Sequence, residues 1–154
     1  MTESKKFIYI INYPTFEEEL CMLEMRSIFN TEPKNKILIS HIDFNPSYST
    51  FIKSRLEVFY EEENFENILK ELQKNIITLD DFRLEFIKAL KADVPFGERF
   101  GYLSKIGDKI VGIPDIKSPK LILALGKYND KWVFGLHEKN DNLWITHEKK
   151  PCSY

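Results

Sequence analysis

Residues 82–86 read FRLEF, residues 121–125 read LILAL, and residues 131–136 read KWVFGL. Apolar residues alternate with charged ones in the first of these segments, which predicts a strand over about 82–90 with one buried face. The second segment is apolar throughout, as is typical of a central strand that is covered on both faces. The third segment is predicted to be the returning strand of a hairpin whose loop is Tyr128-Asn129-Asp130.

A helix is predicted between the first two strands, over residues 96–110. Apolar residues recur there at helical spacing, and Gly107 or Gly112 is expected to end the helix; the apolar positions are Phe96, Phe100, Leu103, Ile106 and Ile110. A strand, a helix and a second strand in this order predict a parallel, right-handed βαβ unit.

The sequence before residue 82 continues the alternation of strands and helices. Strands are predicted at 7–13, 36–42 and 53–60, and an amphipathic helix at 64–75. A further helix over 15–29 is predicted to begin with a capping box, because Thr15 and Glu18 have the required spacing. Its apolar face is predicted to contain Phe16, Leu20 and Leu23, and Cys21 is predicted to be a buried thiol.

These elements follow the order βαββαβ and then αββ, which predicts an α/β (α+β) chain. The first six fit a ferredoxin-like split βαβ arrangement. The acidic run Glu61-Glu62-Glu63 is the best candidate boundary. The predicted organisation is a first subdomain at 1–62, a second domain at 63–137 and a linker at 138–154.

Composition limits the kinds of function. The chain has 154 residues, of which 43% are hydrophobic, and its formal net charge is -2. That length allows one core of ordinary size or two small ones. A freestanding nucleic-acid binder usually carries a positive excess, so a basic surface here has to be local. The polar first residues do not resemble a signal peptide and no apolar run has membrane-spanning length, so a cytoplasmic location is expected.

Motifs for catalysis are not found. The six glycines form neither a P-loop nor a G-x-G-x-x-G pattern, and the three histidines lack the spacing of a zinc site. Asn45-Pro46-Ser47-Tyr48 is similar to the Asn/Asp-Pro-Pro-Tyr turn of amino-group methyltransferases but lacks the second proline, and a turn between two strands explains it. The sequence therefore predicts no catalytic residue, no metal and no cofactor in this chain.

The segment between the helix and LILAL carries a family resemblance. Asp115, Ile116 and Pro119 form a D-I-x-x-P turn in register with the helix and both strands. This pattern resembles the THUMP domain that thiouridine synthases, RNA methyltransferases and pseudouridine synthases share. The N-terminal third and the tail at 138–154 look like bacterial relatives of the tRNA guanine methyltransferases, in which a THUMP module precedes a Rossmann-type domain that binds S-adenosylmethionine.

The resemblance implies both a fold and a function. It implies a ferredoxin-like N-terminal subdomain packed with a THUMP-type α/β domain. The expected function is that of an RNA-binding targeting module of an S-adenosylmethionine-dependent RNA methyltransferase whose catalytic domain is missing from this chain, as in a truncated protein. The expected partners are tRNA and that C-terminal methyltransferase domain, which would hold the S-adenosylmethionine. This chain alone is not expected to be an active enzyme.

Such a module needs cations that position phosphates. Five cationic residues within 99–120 outnumber the acidic ones, and Lys117 and Lys120 are the first candidates for RNA contact. The other predicted RNA-binding residues are Arg99, Lys105, Lys109 and Lys88, with Arg83, Lys127 and Lys131 as further candidates. Tyr102 and Tyr128 could stack on an unpaired base, although packing is the expected role of both, and Trp132 is expected in the core.

One alternative stays open. An α/β protein-interaction domain without RNA binding, whose acidic excess recruits protein partners, fits the same composition. The position of charge separates the two, because one basic face favours RNA and evenly mixed charge favours protein contacts.

Overall fold

The computed structural model describes residues 5–75, 78–87, 96–114, 121–128 and 130–140. These residues form three α-helices, two 3-10 turns and seven strands. In chain order they are β1 (Lys6–Ile11), a 3-10 turn (Thr15–Glu17), α1 (Glu18–Phe29), β2 (Ile37–Ser40), a 3-10 turn (Pro46–Tyr48), β3 (Ile52–Glu62), α2 (Phe65–Lys74), β4 (Thr78–Phe86), α3 (Phe96–Gly107), β5 (Val111–Pro114), β6 (Leu121–Tyr128) and β7 (Lys131–Lys139).

The chain divides into two compact units. The first comprises Met1–Glu57 and Glu138–Tyr154, and the second comprises Val58–His137. This division differs from the predicted boundary at 61–63, because β3 continues without a break through that acidic run. It also differs from the predicted linker at 138–154, since β7 extends to Lys139. Residues 141–154 lie outside the described residues.

In the first unit, the strand order is β2-β1-β3. Strands β1 and β2 are antiparallel neighbours, with Phe7 opposite Ser40 and Ile10 opposite Ile37. In a split βαβ arrangement another strand lies between the two strands that flank the first helix, so this connectivity differs from the ferredoxin-like arrangement predicted for the first six elements. Helix α2 and strand β4, the last two of those six, belong to the second unit.

The core of the first unit forms between α1 and the apolar strands. Cys21, Met25 and Phe29 lie at intervals of four along α1, and all three are buried against residues of β1 and β2. Burial, together with the nearby charges of Glu24 and Glu18, raises the pKa of the Cys21 thiol to about 11. The prediction of a buried thiol is therefore confirmed.

The start of α1 differs from the sequence prediction. The capping box does not form, because Pro14 takes the extended cap position and Thr15 already lies inside a 3-10 turn. Helix α1 then begins at Glu18 without a side-chain cap bond. The predicted apolar face is also wrong, since Phe16, Leu20 and Leu23 are 87%, 56% and 59% exposed. The strands cover the opposite side of the helix, where Cys21 and Met25 lie.

Arg55 organises the loop that follows β2. Its side chain is only 9% exposed and pairs with Asp43 at 2.5 Å and with Glu138 at 3.0 Å. It also donates hydrogen bonds to the Phe44 carbonyl at 2.9 Å and to the Tyr9 hydroxyl at 3.5 Å. Burial alone would lower the pKa of the guanidinium, but these acceptors outweigh it and raise the pKa above its ordinary value. The charge is thus compensated where it is buried.

Asn140, from the C-terminal part of the first unit, also holds the loop between β2 and β3. Its side-chain amide donates to the carbonyls of Pro46, Ser49 and Ile52 at 2.6, 2.9 and 2.8 Å. Its backbone N–H donates to the Lys53 carbonyl at 2.9 Å. An amide group has two hydrogens, so the three carbonyls share them. The loop between β2 and β3 is therefore held by side chains from distant parts of the sequence.

The second unit contains the strand order β3-β7-β6-β4-β5. Strand β6 is parallel to β4, with Phe82 opposite Leu121 and Phe86 opposite Leu125, and antiparallel to β7. The predicted parallel strand pair and the predicted hairpin are thereby confirmed. Strand β5, which the sequence did not indicate, pairs in parallel with the other edge of β4. Helix α3 therefore leads from β4 to β5, and β6 comes later in the chain.

Helices α2 and α3 supply the apolar core of this unit. Phe65, Ile68 and Leu72 of α2 are buried as the periodicity predicted. Helix α3 ends at Gly107, one of the two predicted ends, and contributes the buried Ile106. The cluster also contains residues of β4, β6 and β7, among them Trp132 and Phe134. The α/β class of the chain, with a parallel strand pair and helices packed on a mixed sheet, is confirmed.

Candidate nucleic-acid interface

Helix α3 carries three of the predicted RNA-binding residues on or directly after it, and aromatic packing fixes its orientation. The Tyr102 ring lies 4.7 Å from the Phe65 ring and 4.9 Å from the Trp132 ring, measured between centroids. The Phe65 and Trp132 rings are themselves 5.4 Å apart. Such tilted and edge-to-face pairs stabilise one arrangement of the rings. The packing roles expected for Tyr102 and Trp132 are confirmed, so neither ring is available as a base-stacking platform.

Arg99 lies at the edge of this packed face. Its side chain is half-buried, and the guanidinium carbon lies 4.9 Å from the centroid of the Phe86 ring at the end of β4. A cation over an aromatic face is attracted by the ring's negative face and is restricted in its movement. The contact places a delocalised positive charge at the boundary between the core and the surface.

Lys105 and Lys109 add charge near the end of α3. Lys105 is exposed, and Lys109 is half-buried in the turn that follows the helix. That turn is closed by a 2.9 Å hydrogen bond from the Lys109 N–H to the Ile106 carbonyl. Residues 96–110 contain three cationic side chains against two acidic ones, Glu98 and Asp108. The excess is small but local, in a chain whose net charge is negative.

The β6–β7 hairpin holds two more of the candidate cations. The Lys127 ammonium lies 5.4 Å from the centroid of the Trp132 ring, while Lys131 is exposed. Tyr128 pairs with Lys131 at the base of the turn. Asp130 occupies the left-handed region with φ of 62°, which an aspartate tolerates better than most residues. The hairpin therefore presents lysine side chains beside a tight turn.

Arg83 is placed differently from these cations. Its guanidinium lies 3.4 Å from Glu85, whose other carboxylate oxygen lies 3.1 Å from Nδ1 of His137. The three side chains form a row in which one carboxylate serves two partners. Arg83 is thus paired with a carboxylate while its side chain stays 43% exposed, and its contact with phosphate stays a prediction.

Three of the predicted residues lie outside the described residues, namely Lys88, Lys117 and Lys120. The same holds for the D-I-x-x-P turn at residues 115–119 and for the tail after residue 140. These predictions are untested by the structure and stay predictions.

Phe100 is a surface residue that the sequence assigned to the wrong face. It is 79% exposed. On a helix of 3.6 residues per turn it points about 120° away from Ile106, which is buried. Its neighbours Gly97 and Gly101 face open space, because a Cβ added at either would meet nothing within 4 Å. Including Tyr102 in the helical wheel would have shifted the predicted face and revealed Phe100 as exposed.

Two features are absent from the part of the chain that the structure describes. Within the ranges given above, no group of three or more His, Cys, Asp or Glu side chains is placed to hold a metal ion. In the same ranges, the helices lack the length and apolar character that a membrane span requires.

The Asn45–Tyr48 segment forms a 3-10 turn in which the Asn45 side chain accepts a hydrogen bond from the Ser47 N–H at 3.0 Å.

Comparison with solved structures shows which known structures the fold of this chain resembles. The chain matches the crystal structure of PH1313 from Pyrococcus horikoshii with a TM-score of 0.56 and 16% sequence identity, over 90% of this chain and 56% of that one. It matches a 4-thiouridine synthetase solved as an RNA complex with bound ATP, with a TM-score of 0.50 and 14% identity, over 91% of this chain and 43% of that one. It matches TrmN from Thermus thermophilus with a TM-score of 0.51 and 10% identity, over 86% of this chain and 45% of that one.

The likeness of fold confirms the resemblance predicted from the sequence. At these identities it concerns the fold alone. The chain spans about half the length of the solved structures it matches. No protein-family model and no curated protein matches the sequence.

Proposed function

We propose that this chain is a tRNA-binding module that presents its RNA to a modifying enzyme. The observation that carries the proposal is the shared fold, which extends over 91% of the chain to a 4-thiouridine synthetase solved with RNA bound. A match over nearly the whole chain is informative because it includes both units and not a single common motif.

The surface of the second unit supports this function in physical terms. Non-specific binding of RNA depends on cations that contact phosphates, and exposed aromatic rings add stacking with unpaired bases. Arg99, Lys105 and Lys109 supply such cations on and after α3, and Phe100 supplies an exposed ring on the same helix. We place Lys117, Lys120 and Lys88 in the same interface, on the grounds of sequence. The role is positioning, with little direct reading of the bases.

The enzyme that uses the module is the finer part of the proposal. From the sequence resemblance we infer an S-adenosylmethionine-dependent RNA methyltransferase domain in the same polypeptide, acting in the cytoplasm, with catalysis and the cofactor both outside this chain. The reading frame after Tyr154 in the natural gene tests this part. A glycine turn for S-adenosylmethionine and an Asn/Asp-Pro-Pro-Tyr motif downstream support it, and a stop codon directly after Tyr154 contradicts it.

Binding is tested by titrating labelled tRNA with the chain at several salt concentrations, using fluorescence anisotropy. Charge reversal in the pair Lys117→Glu and Lys120→Glu, or in the pair Lys105→Glu and Lys109→Glu, is expected to weaken binding. The slope of log K against log salt should fall by about 0.7–0.9 for each phosphate that the variant no longer neutralises.

A matched control reverses two exposed lysines of the first unit, Lys34→Glu and Lys53→Glu. The change in net charge is identical, so a general electrostatic effect would weaken binding equally in the control. Titration curves that are unchanged in both second-unit pairs would contradict the proposed interface.

A further inference from the structure

Helix α1 has apolar side chains on two sides, and only one of them is covered. Cys21, Met25 and Phe29 pack inside the first unit. On the opposite side, Leu20 and Leu23 are three residues apart and more than half exposed, and Phe16, in the 3-10 turn that precedes α1, is 87% exposed. Side chains three and four residues apart are neighbours on a helix surface. We call Phe16, Leu20 and Leu23 the α1 stripe.

Single exposed apolar residues are common, but three large ones so close together in the sequence are not. The three side chains do not stabilise the folded unit through core packing, because none of them belongs to its core. A row of this kind marks a surface that another molecule covers.

The charges around the α1 stripe indicate what covers it. Residues 15–32 contain five glutamates and a single cationic residue, Arg26. Arg26 is already paired with Glu32 at 2.7 Å. Among the described residues, neither Glu17 nor Glu19 has an ion-pair partner, and Glu19 is exposed. The rim of the stripe is therefore acidic. It repels phosphates and anionic lipid headgroups, which excludes RNA and an anionic membrane surface from this face.

A groove beside the stripe has the same character. It is lined by three carboxylates, two apolar side chains and the paired arginine: Glu18, Glu19, Glu32, Met22, Leu23 and Arg26. A lysine or arginine side chain fits such a groove, because its aliphatic stem packs on apolar atoms while its charged end reaches carboxylates. A partner that covers both the apolar row and the acidic groove must therefore carry apolar and cationic side chains.

We propose that the α1 stripe and its acidic groove form a docking site for an amphipathic, lysine- or arginine-rich helical segment of another protein. The apolar face of that segment covers Phe16, Leu20 and Leu23, and its cations pair with Glu17, Glu18 and Glu19. Helix-on-helix docking of this kind uses apolar anchors at intervals of three and four residues, which is the spacing of the stripe.

The test uses the full chain and two synthetic helical peptides of equal length, one of leucine and lysine and one of leucine and glutamate in the same pattern. Binding is measured by anisotropy of the labelled peptide. The leucine–lysine peptide is expected to bind, and the leucine–glutamate peptide to bind at least about tenfold more weakly, which corresponds to about 1.4 kcal/mol. Equal binding of the two peptides, or no binding of the basic one, would overturn the proposal.

The location is tested by the triple variant Phe16→Ala, Leu20→Ala and Leu23→Ala. Because all three side chains are exposed, the variant is expected to fold normally, and it should bind the basic peptide at least about tenfold more weakly. The control is Phe100→Ala, which removes an equally exposed ring from the second unit and should leave peptide binding unchanged. If the triple variant binds as the wild type does, the docking site is not on α1.

The same variants separate this proposal from the proposed function. The triple variant should leave tRNA titration curves unchanged, whereas Phe100→Ala should weaken them. A second copy of this chain is the remaining molecule that could cover the α1 stripe, and sedimentation velocity of the wild-type chain tests for it. Dimers that the triple variant abolishes would assign the stripe to a second copy of this chain and would overturn the assignment to a basic partner.

Discussion

The two units hold an arginine in opposite ways. In the first unit, Arg55 is nearly inaccessible, and its guanidinium lies 4.5 Å from the Phe7 ring centroid while pairing with Asp43 and Glu138. In the second unit, Arg99 also lies over an aromatic ring, that of Phe86, but its side chain is only half-buried at the end of the packed face. Both cations use the face of a ring, and the difference lies in how much of the charge reaches solvent.

This difference separates structural from binding roles. An enclosed guanidinium that is fully compensated by carboxylates and a hydroxyl cannot reach a phosphate, and it fixes the backbone around it. A guanidinium that lies over a ring at the edge of a packed face is less enclosed than one surrounded by carboxylates. The first unit thus uses its arginine to build a loop. In the second unit, the surface cations are the ones that we propose for RNA contact.

The largest expected effect comes from removing the enclosed arginine. Arg55→Met should reduce the free energy of unfolding by about 3 kcal/mol, because the Phe44 carbonyl and the Tyr9 hydroxyl lose a charged donor and the loop is released. Urea denaturation measures the change. The fraction that remains folded at low temperature should bind tRNA with wild-type affinity.

The matched variant is Arg99→Met, which is expected to affect stability little and tRNA binding more. Loss of the cation–π contact with Phe86 should cost about 1 kcal/mol of stability, less than the loss of Arg55, while tRNA binding weakens. If the two variants lose stability equally, the contrast between an enclosed and a surface arginine does not hold.

A smaller effect is expected at the other support of the same loop. Asn140→Ala removes an amide that bonds three carbonyls, and it should cost about 1–3 kcal/mol because buried acceptors lose their donor. Thermal unfolding gives the measurement. The comparison variant is Asn75→Ala, whose side chain makes one exposed bond of 3.4 Å to the Glu71 carbonyl. If Asn75→Ala destabilises the chain as much as Asn140→Ala does, the three loop hydrogen bonds of Asn140 contribute no more to stability than one exposed bond.

Much of this fold could be predicted because its signals are local. The apolar spacing of α2 predicted its buried face, and the apolar run of β6 predicted a central strand with a parallel neighbour. The hairpin followed from a short polar loop between two strands. In each of these cases, one periodic pattern or one turn determines the result within a few residues.

The remainder depends on contacts between distant residues. Arg55 and Glu138 are 83 positions apart, and Asn140 bonds residues 88 to 94 positions away. No local pattern encodes such a pairing. Helix α1 was misjudged for a related reason. It has an apolar row on each side, and only the position of the strands decides which row is buried. Strand β5 is four residues long, too short to produce a periodic signal.

The candidate site shows the same limit. The sequence identified cationic residues around α3 but could not separate Arg99, which lies over a ring, from Arg83, which is paired with Glu85 at 3.4 Å. Phe100 was assigned to the core because an aromatic residue in a helical pattern is expected there by default, and only its angle to Tyr102 and Ile106 around the helix separates it from the buried face.

The smallest effect concerns the exposed face of α3 and has the opposite sign. Gly101 lies inside the helix, faces open space and has a negative φ, so an alanine Cβ fits without a clash. Since glycine loses more backbone freedom than alanine in a helix, Gly101→Ala should raise the free energy of unfolding by about 0.5–1 kcal/mol. The control is Gly107→Ala at the end of the helix, where a Cβ meets the Leu84 side chain at 3.4 Å and the gain should be smaller. A stabilised Gly101→Ala variant that binds tRNA more weakly would mean that this face is kept free of side chains for the RNA backbone. An unchanged tRNA affinity would restrict the interface to the cations and Phe100, and a decrease in stability would contradict the open surroundings of Gly101.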